Sequence, residues 1–271
     1  MQKMKSFLPW ILVFVVLSLY VNLVPMQLQQ DSLLQWLGYW LTFFGITFLG
    51  VRYVLRLQGL QSLGMPLHSG WLRNLSLGFL VGFGMYGLKY LACYGAGMFE
   101  IAGTMDASFI YVLVGQVFLA MFFSSAINDV LIRGYSLTFL RKEHLLRWYI
   151  VVATVLYILD DSWKEGFHID NMVFSAILGF TFAYTVLRTG SIWLSVGLHW
   201  GGNVMYRMLY GFNGQGIWKL ENTADGPLFE YISLAVTALL FPVVYMLLRS
   251  RLLKTYEAPV VEETAPTAKV A

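Results

Sequence analysis

The chain has 271 residues, of which 58% are hydrophobic and only 12% charged, with a mean hydropathy of +0.65. A soluble domain carries about 25% charged residues, so this composition excludes an ordinary soluble globular protein and predicts a polytopic membrane protein. The formal net charge of +3 is spread over short loops between apolar stretches. It therefore reports membrane topology and gives no reason to expect a nucleic-acid partner.

A membrane-spanning helix needs roughly 20 mostly apolar residues. Eight candidates follow in chain order, near 9–27, 33–55, 74–97, 108–133, 148–162, 171–188, 191–209 and 229–249. The expected class is all-α, with about eight transmembrane helices. The first candidate has a basic lead and a long apolar run but no A-x-A-like cleavage site, which predicts a retained helix. The fifth and sixth are short or interrupted, as buried or cavity-lining helices often are. Between the fourth and fifth, YSLTFLRKEHLLR mixes Leu and Phe with basic residues, the pattern of an interfacial helix or a tight loop. Residues 1–254 are expected to form one membrane domain. Residues 255–271 are rich in Ala, Pro, Glu and Thr and are expected to be a disordered cytoplasmic tail. The lone cysteine, Cys93, can form no intrachain disulfide.

Basic residues favour the cytoplasmic side. Lys3, Lys5, Arg52, Arg56, Arg73, Arg141, Lys142, Arg147, Arg188, Arg249, Arg251 and Lys254 all fall on one side if both termini are cytoplasmic. The opposite loops hold Asp31, Glu100, Asp106, Glu165, Asp170, Glu221, Asp225 and Glu230.

Ionisable groups are costly in hydrocarbon; they persist where they pair, line a wet cavity or do chemistry. Three constellations stand out. In SSAINDVLIRGY, Asp129 and Arg133 are four apart and share a helix face, so they can form an internal ion pair. Asn128, about 100° around the helix, can then face a neighbouring cavity. In LHWGGN, His199 and Asn203 are also four apart. Together they suit the stabilisation of a developing oxyanion or, equally, a hydrogen-bonded contact between helices. The Gly201-Gly202 pair between them lets another backbone approach. In YILDDSW, Asp160-Asp161 fits either a membrane boundary or a carboxylate turned inward as a base. His68, His144 and His168 fall in loops, where solvation is the ordinary state. Lys89 is mid-helix with no evident partner. No His-x-x-x-His or Cys-x-x-Cys spacing exists, so no metal or other cofactor is expected.

These residues resemble the CPBP intramembrane endopeptidases, the group of the CAAX prenyl proteases and the bacterial Abi proteins. The family signature is Glu-Glu-x-x-x-Arg, then Phe-x-x-x-His, then His-x-x-x-Asn. Here the first motif reads Asn128-Asp129-Val-Leu-Ile-Arg133, followed by Gly134-Tyr135. The second reads Tyr157-Ile-Leu-Asp160-Asp161, and the third, His199-Trp-Gly-Gly-Asn203, is intact. LGFTFAYTVLRTGSIWLSVGLHW and QSLGMPLHSG are similar to the segments around the family's motifs, and the resemblance spans roughly residues 60–210.

The resemblance implies peptide-bond hydrolysis in or near the bilayer without a metal. The substrate or partner would be a membrane-embedded or membrane-associated polypeptide, and the location the bacterial plasma membrane. The candidate site is Asn128, Asp161, His199 and Asn203, with Asp129–Arg133 as an internal strut. In the family the first Glu activates water and the second-motif His assists; here those positions hold Asn128 and Asp161. Asn cannot accept a proton at neutral pH. Two readings follow. Either the site is rewired, with Asp161 as base, or the chain is a pseudoprotease that binds a membrane partner without cutting it. A transporter is disfavoured by the lack of an inverted repeat. Asp161 should sit near the far end of its helix, so it reaches Asn128 and His199 only if that helix starts deep or tilts.

Overall fold

The computed structural model describes residues 2–29, 32–221, 223 and 226–257. Most of the proposed tail, together with Asp31 and Asp225 of the acidic loops, lies outside the described residues.

The described residues form an all-α bundle of eight long helices and one short one. They are α1 (Gln2–Leu23), α2 (Leu33–Leu49), α3 (Trp71–Gly95), α4 (Ala107–Asn128), α5 (Tyr135–Lys142), α6 (Tyr149–Glu165), α7 (Ile169–Thr189), α8 (Trp193–Tyr210) and α9 (Pro227–Arg249). The eight long helices coincide with the eight apolar candidates, and α5 is the amphipathic segment between the fourth and fifth. Among the described residues, six stretches are long and apolar enough to cross a membrane: Phe7–Gln27, Leu33–Val54, Trp71–Gly95, Ala107–Lys142, Ile169–Thr189 and Pro227–Arg249. The chain is thus an integral, multi-pass membrane protein. The two long helices outside this set are α6, with 17 residues, and α8. Both carry polar residues of interest.

One feature departs from the all-helical expectation. Two short strands, β1 (Glu100–Thr104) and β2 (Trp218–Glu221), pair antiparallel, with Ile101 opposite Leu220 and an irregularity before Gly103. They join the α3–α4 and α8–α9 connections at one end of the bundle. Four or five residues with no sustained alternation leave no period for a sequence reading to detect.

The closest helix pair is α3 and α8. Gly78 and Gly82 on α3 face Gly197 and Gly201 on α8. An added Cβ would lie 2.1 Å from the Leu198 carbonyl oxygen at Gly82, and 2.2 Å from the Phe79 carbonyl oxygen at Gly201. Lipid tails are as apolar as Leu, so helices in membranes associate largely through close packing, which small residues spaced four apart permit.

At the end away from the strands, the chain folds back on itself. Asn74 Nδ2 donates to the Lys254 carbonyl at 2.7 Å, Lys254 N–H donates to Asn74 Oδ1 at 3.1 Å, and Tyr256 N–H donates to the Thr189 carbonyl at 2.7 Å. His68 is not simply solvated. Its Nδ1 accepts the Gly70 N–H at 3.1 Å, Nε2 lies 3.3 Å from Ser191 Oγ, and the ring stacks on Tyr256. Burial holds the His68 pKa below its ordinary 6.5.

Lys89 is 6% exposed and sits among aromatic rings, with Nζ 4.7 Å from the Tyr90 ring centre and 5.0 Å from that of Tyr86. Such cation–π contacts replace the missing carboxylate partner.

Candidate functional site

The first motif sits where α4 ceases to be an ordinary α-helix. From Asp129 to Gly134 the backbone is a π-helical turn, closed by the Tyr135 N–H on the Val130 carbonyl. A π-turn adds a residue to each hydrogen-bonded ring, and such turns cluster at functional sites. Here the wider turn lets one guanidinium nitrogen reach two side chains. Arg133 Nη1 lies 3.1 Å from Asp129 Oδ1 and donates to Asn128 Oδ1 at 3.1 Å. The chain can run tight against the preceding loop here because residue 134 is glycine; a Cβ there would lie 2.1 Å from the Leu63 carbonyl oxygen.

Asp129 and Arg133 side chains are both 0% exposed. A buried charge is tolerable only when paired and hydrogen-bonded, and Asp129 meets that condition three times. Oδ1 takes Arg133 and the hydroxyl of Ser195. Oδ2 lies 3.3 Å from His199 Nδ1. Arg133 is held differently. Its Nε and Nη2 have no hydrogen-bond acceptor among the described residues, but Cζ lies 4.6 Å from the Tyr157 ring centre and 4.8 Å from that of Phe182. These two π faces supply the electrostatic compensation.

The same rings hold the His199 imidazole. It stacks on Phe182 with centroids 5.5 Å apart and meets the edge of Tyr157 at 6.2 Å. The side chain is 15% exposed, in contrast to the fully buried Asp129 that holds it. Asn203, one turn further along α8, makes a long contact from Nδ2 to Ser125 Oγ at 3.4 Å.

The second motif divides its two acids. Asp160 accepts from Asn128 Nδ2 at 2.8 Å and from Lys164 Nζ at 2.7 Å, both through Oδ2. Asp161 turns toward α7 and accepts the Ser175 hydroxyl. The acid that touches Asn128 is therefore Asp160, one residue before the expected Asp161. Adjacent residues on a helix point about 100° apart, so only one of the two can face α4. The far end of α6 does reach α4, and a continuous polar chain runs from Lys164 through Asp160, Asn128, Arg133 and Asp129 to His199.

Sequence reading missed Ser195, Ser175, Ser125 and Lys164. Two of them had a visible signal: Lys164 follows Asp160 by four, and Ser195 precedes His199 by four, so each shares a helix face with its neighbour. Ser175 and Ser125 had none, since their partners come from other helices. Among the described residues, no group of three or more His, Cys, Asp or Glu side chains is placed to hold a metal ion.

Comparison with curated proteins and with solved structures gave no match. Comparison with protein-family models matched residues 110–205 to the type II CAAX prenyl endopeptidase Rce1-like family. The matched stretch begins within α4 and ends within α8, so it holds all three polar motifs but not the QSLGMPLHSG segment. The stretch from the π-turn acid Asp129 to the His199–Asn203 pair is thus similar to the type II CAAX prenyl endopeptidases of the Rce1-like family.

Proposed function

We propose that the chain hydrolyses peptide bonds of membrane-associated polypeptides at a non-standard site lined by Asn128, Asp161, His199 and Asn203, with Asp160 bonded to Asn128. One observation carries the reading. A fully buried carboxylate, Asp129, holds the ring of a partly exposed histidine, one helical turn from Asn203. Burying an acid with three donors around it is costly. A purely structural contact between α4 and α8 does not require it. In this reading both termini face the cytoplasm of a bacterial cell, where the basic loops lie.

A second reading is favoured by a different observation. Asn128, at the place of the family's first glutamate, is tied to Arg133 and Asp160 and has no proton-accepting form at neutral pH. A retired protease that keeps its bundle and binds a membrane partner fits that substitution.

Mapping new N-termini of membrane proteins in cells separates the two. Cells would express the wild type, His199→Ala, Asp160→Ala or Asp161→Ala. Hydrolysis predicts N-termini present with the wild type and lost in His199→Ala and in at least one acid variant. Identical profiles, with a partner still co-purifying, support the pseudoprotease.

A further inference from the structure

We infer that His199 is the general base of this site, a role that rests on the hydrolase reading above. The loss of a glutamate at position 128 leaves three groups nearby that can take a proton: Asp160, Asp161 and His199. Asp160 uses Oδ2 to bind Asn128 and the Lys164 ammonium. Asp161 uses Oδ2 to bind the Ser175 hydroxyl across to α7.

His199 differs from both in how it is held. Asp129 is ion-paired to Arg133 and accepts the Ser195 hydroxyl, so it offers His199 a lone pair and not a proton. Nδ1 must then carry the hydrogen. A neutral imidazole has one donor and one acceptor nitrogen, so Nε2 presents its lone pair. No described residue bonds Nε2, and the ring is fixed by Phe182 and Tyr157. A buried carboxylate that sets the tautomer, with the opposite nitrogen aimed at the reacting atoms, is the arrangement by which hydrolases use histidine as a base. A neutral histidine so held cannot donate to an oxyanion through Nε2. That task falls to Asn203, whose Nδ2 has a hydrogen beyond its long contact with Ser125.

Nε2 removes a proton from water as the water oxygen bonds to the scissile carbonyl carbon, and the carbonyl π electrons move to oxygen. The imidazolium, stabilised by Asp129, then returns that proton to the amide nitrogen as the C–N bond breaks. The products are an acid and an amine. The titratable and charged groups around the ring are Asp129 and Arg133 from the π-turn, Tyr157 from α6, and Tyr86 on α3 and Asp161 on α6, which interact electrostatically with Tyr157.

The test uses the full chain in liposomes with internally quenched, lipid-anchored peptides. It compares the wild type with His199→Gln, which can donate an N–H but cannot accept a proton. His199→Gln should lose about 10²–10⁴-fold. A ¹⁵N spectrum of histidine-labelled wild type, assigned by loss of the His199 signal, should show hydrogen on Nδ1 of the neutral ring. Activity of His199→Gln within tenfold of wild type, or hydrogen on Nε2, overturns the assignment while leaving hydrolysis in place. No cleavage by the wild type under any condition overturns the hydrolase reading, and this role with it. If the glutamine variant fails to fold, the His199 signal is assigned by replacing His68, His144 and His168 instead, and the tautomer measurement decides the case.

Discussion

Gly82→Ala is expected to damage both packing and site, whereas Gly84→Ala, two residues along the same helix, is expected to do neither. At Gly82 the new Cβ would lie 2.1 Å from the Leu198 carbonyl oxygen and 2.9 Å from its carbon. The closest comfortable C···O approach is ~3.3 Å, so α3 and α8 must part by roughly 1.2 Å at this point. Both obstacles are backbone, which no rotamer change can move. Overpacking of this kind costs about 1–3 kcal/mol. The displaced residue, Leu198, directly precedes His199, whose 3.3 Å contact with Asp129 has little slack. A misplacement of ~1 Å at a catalytic group costs about 10²-fold. At Gly84 nothing lies within 4 Å of the added methyl, and replacing glycine by alanine in a helix gains up to ~1 kcal/mol. The assay is thermal unfolding of both variants in detergent, followed by size-exclusion chromatography, with peptide cleavage in liposomes alongside. Equal unfolding temperatures for the two variants would refute the claim that the α3–α8 contact is backbone-limited.

Three further outcomes follow from the same structure. Arg133→Met should destabilise the fold by about 3–5 kcal/mol, because it strands Asp129 as a buried charge, and Asp129→Asn introduced beside it should recover part of that loss in the same thermal assay. Lys164→Met should change stability by less than ~1 kcal/mol, since the lysine is 40% exposed and its pair with Asp160 is solvent-screened; a larger loss would mean that the polar chain through Asp160 is mechanically coupled to the bundle. The third concerns pH. His68 has a pKa below its unfolded 6.5, so the fold prefers the neutral ring. The stabilisation is fully present above pH 6.5 and is lost as the pH falls below it toward the folded value, because protonating Nδ1 removes the acceptor for the Gly70 N–H. The protection factor of the Tyr256 amide, exchange rate corrected for the intrinsic pH dependence, should fall as the pH falls through that window, and His68→Gln should abolish the fall.

Composition and apolar run length were enough to determine an all-α, multi-pass membrane protein, because each spanning helix must satisfy its own backbone and shows that need locally as a run of about 20 apolar residues. Helical spacing likewise determined that Asp129 shares a face with Arg133, and His199 with Asn203. The strands β1 and β2 escaped because their pairing joins residues more than a hundred apart. Spacing also could not decide between Asp160 and Asp161, for both lie on one helix and only the rotation of α6 against α4 and α7 selects which acid meets Asn128. Nor could it show that Asp129 lies against His199, or that Arg133 is compensated by Tyr157 and Phe182. Those contacts bring α6, α7 and α8 together around the π-turn, and Gly134 lets that turn run tight against the Leu63 carbonyl. Sequence determines what each helix can present to a neighbour; which presented groups meet is decided by how closely the backbones pack, and in this bundle glycines at α3, α8 and the π-turn set that distance.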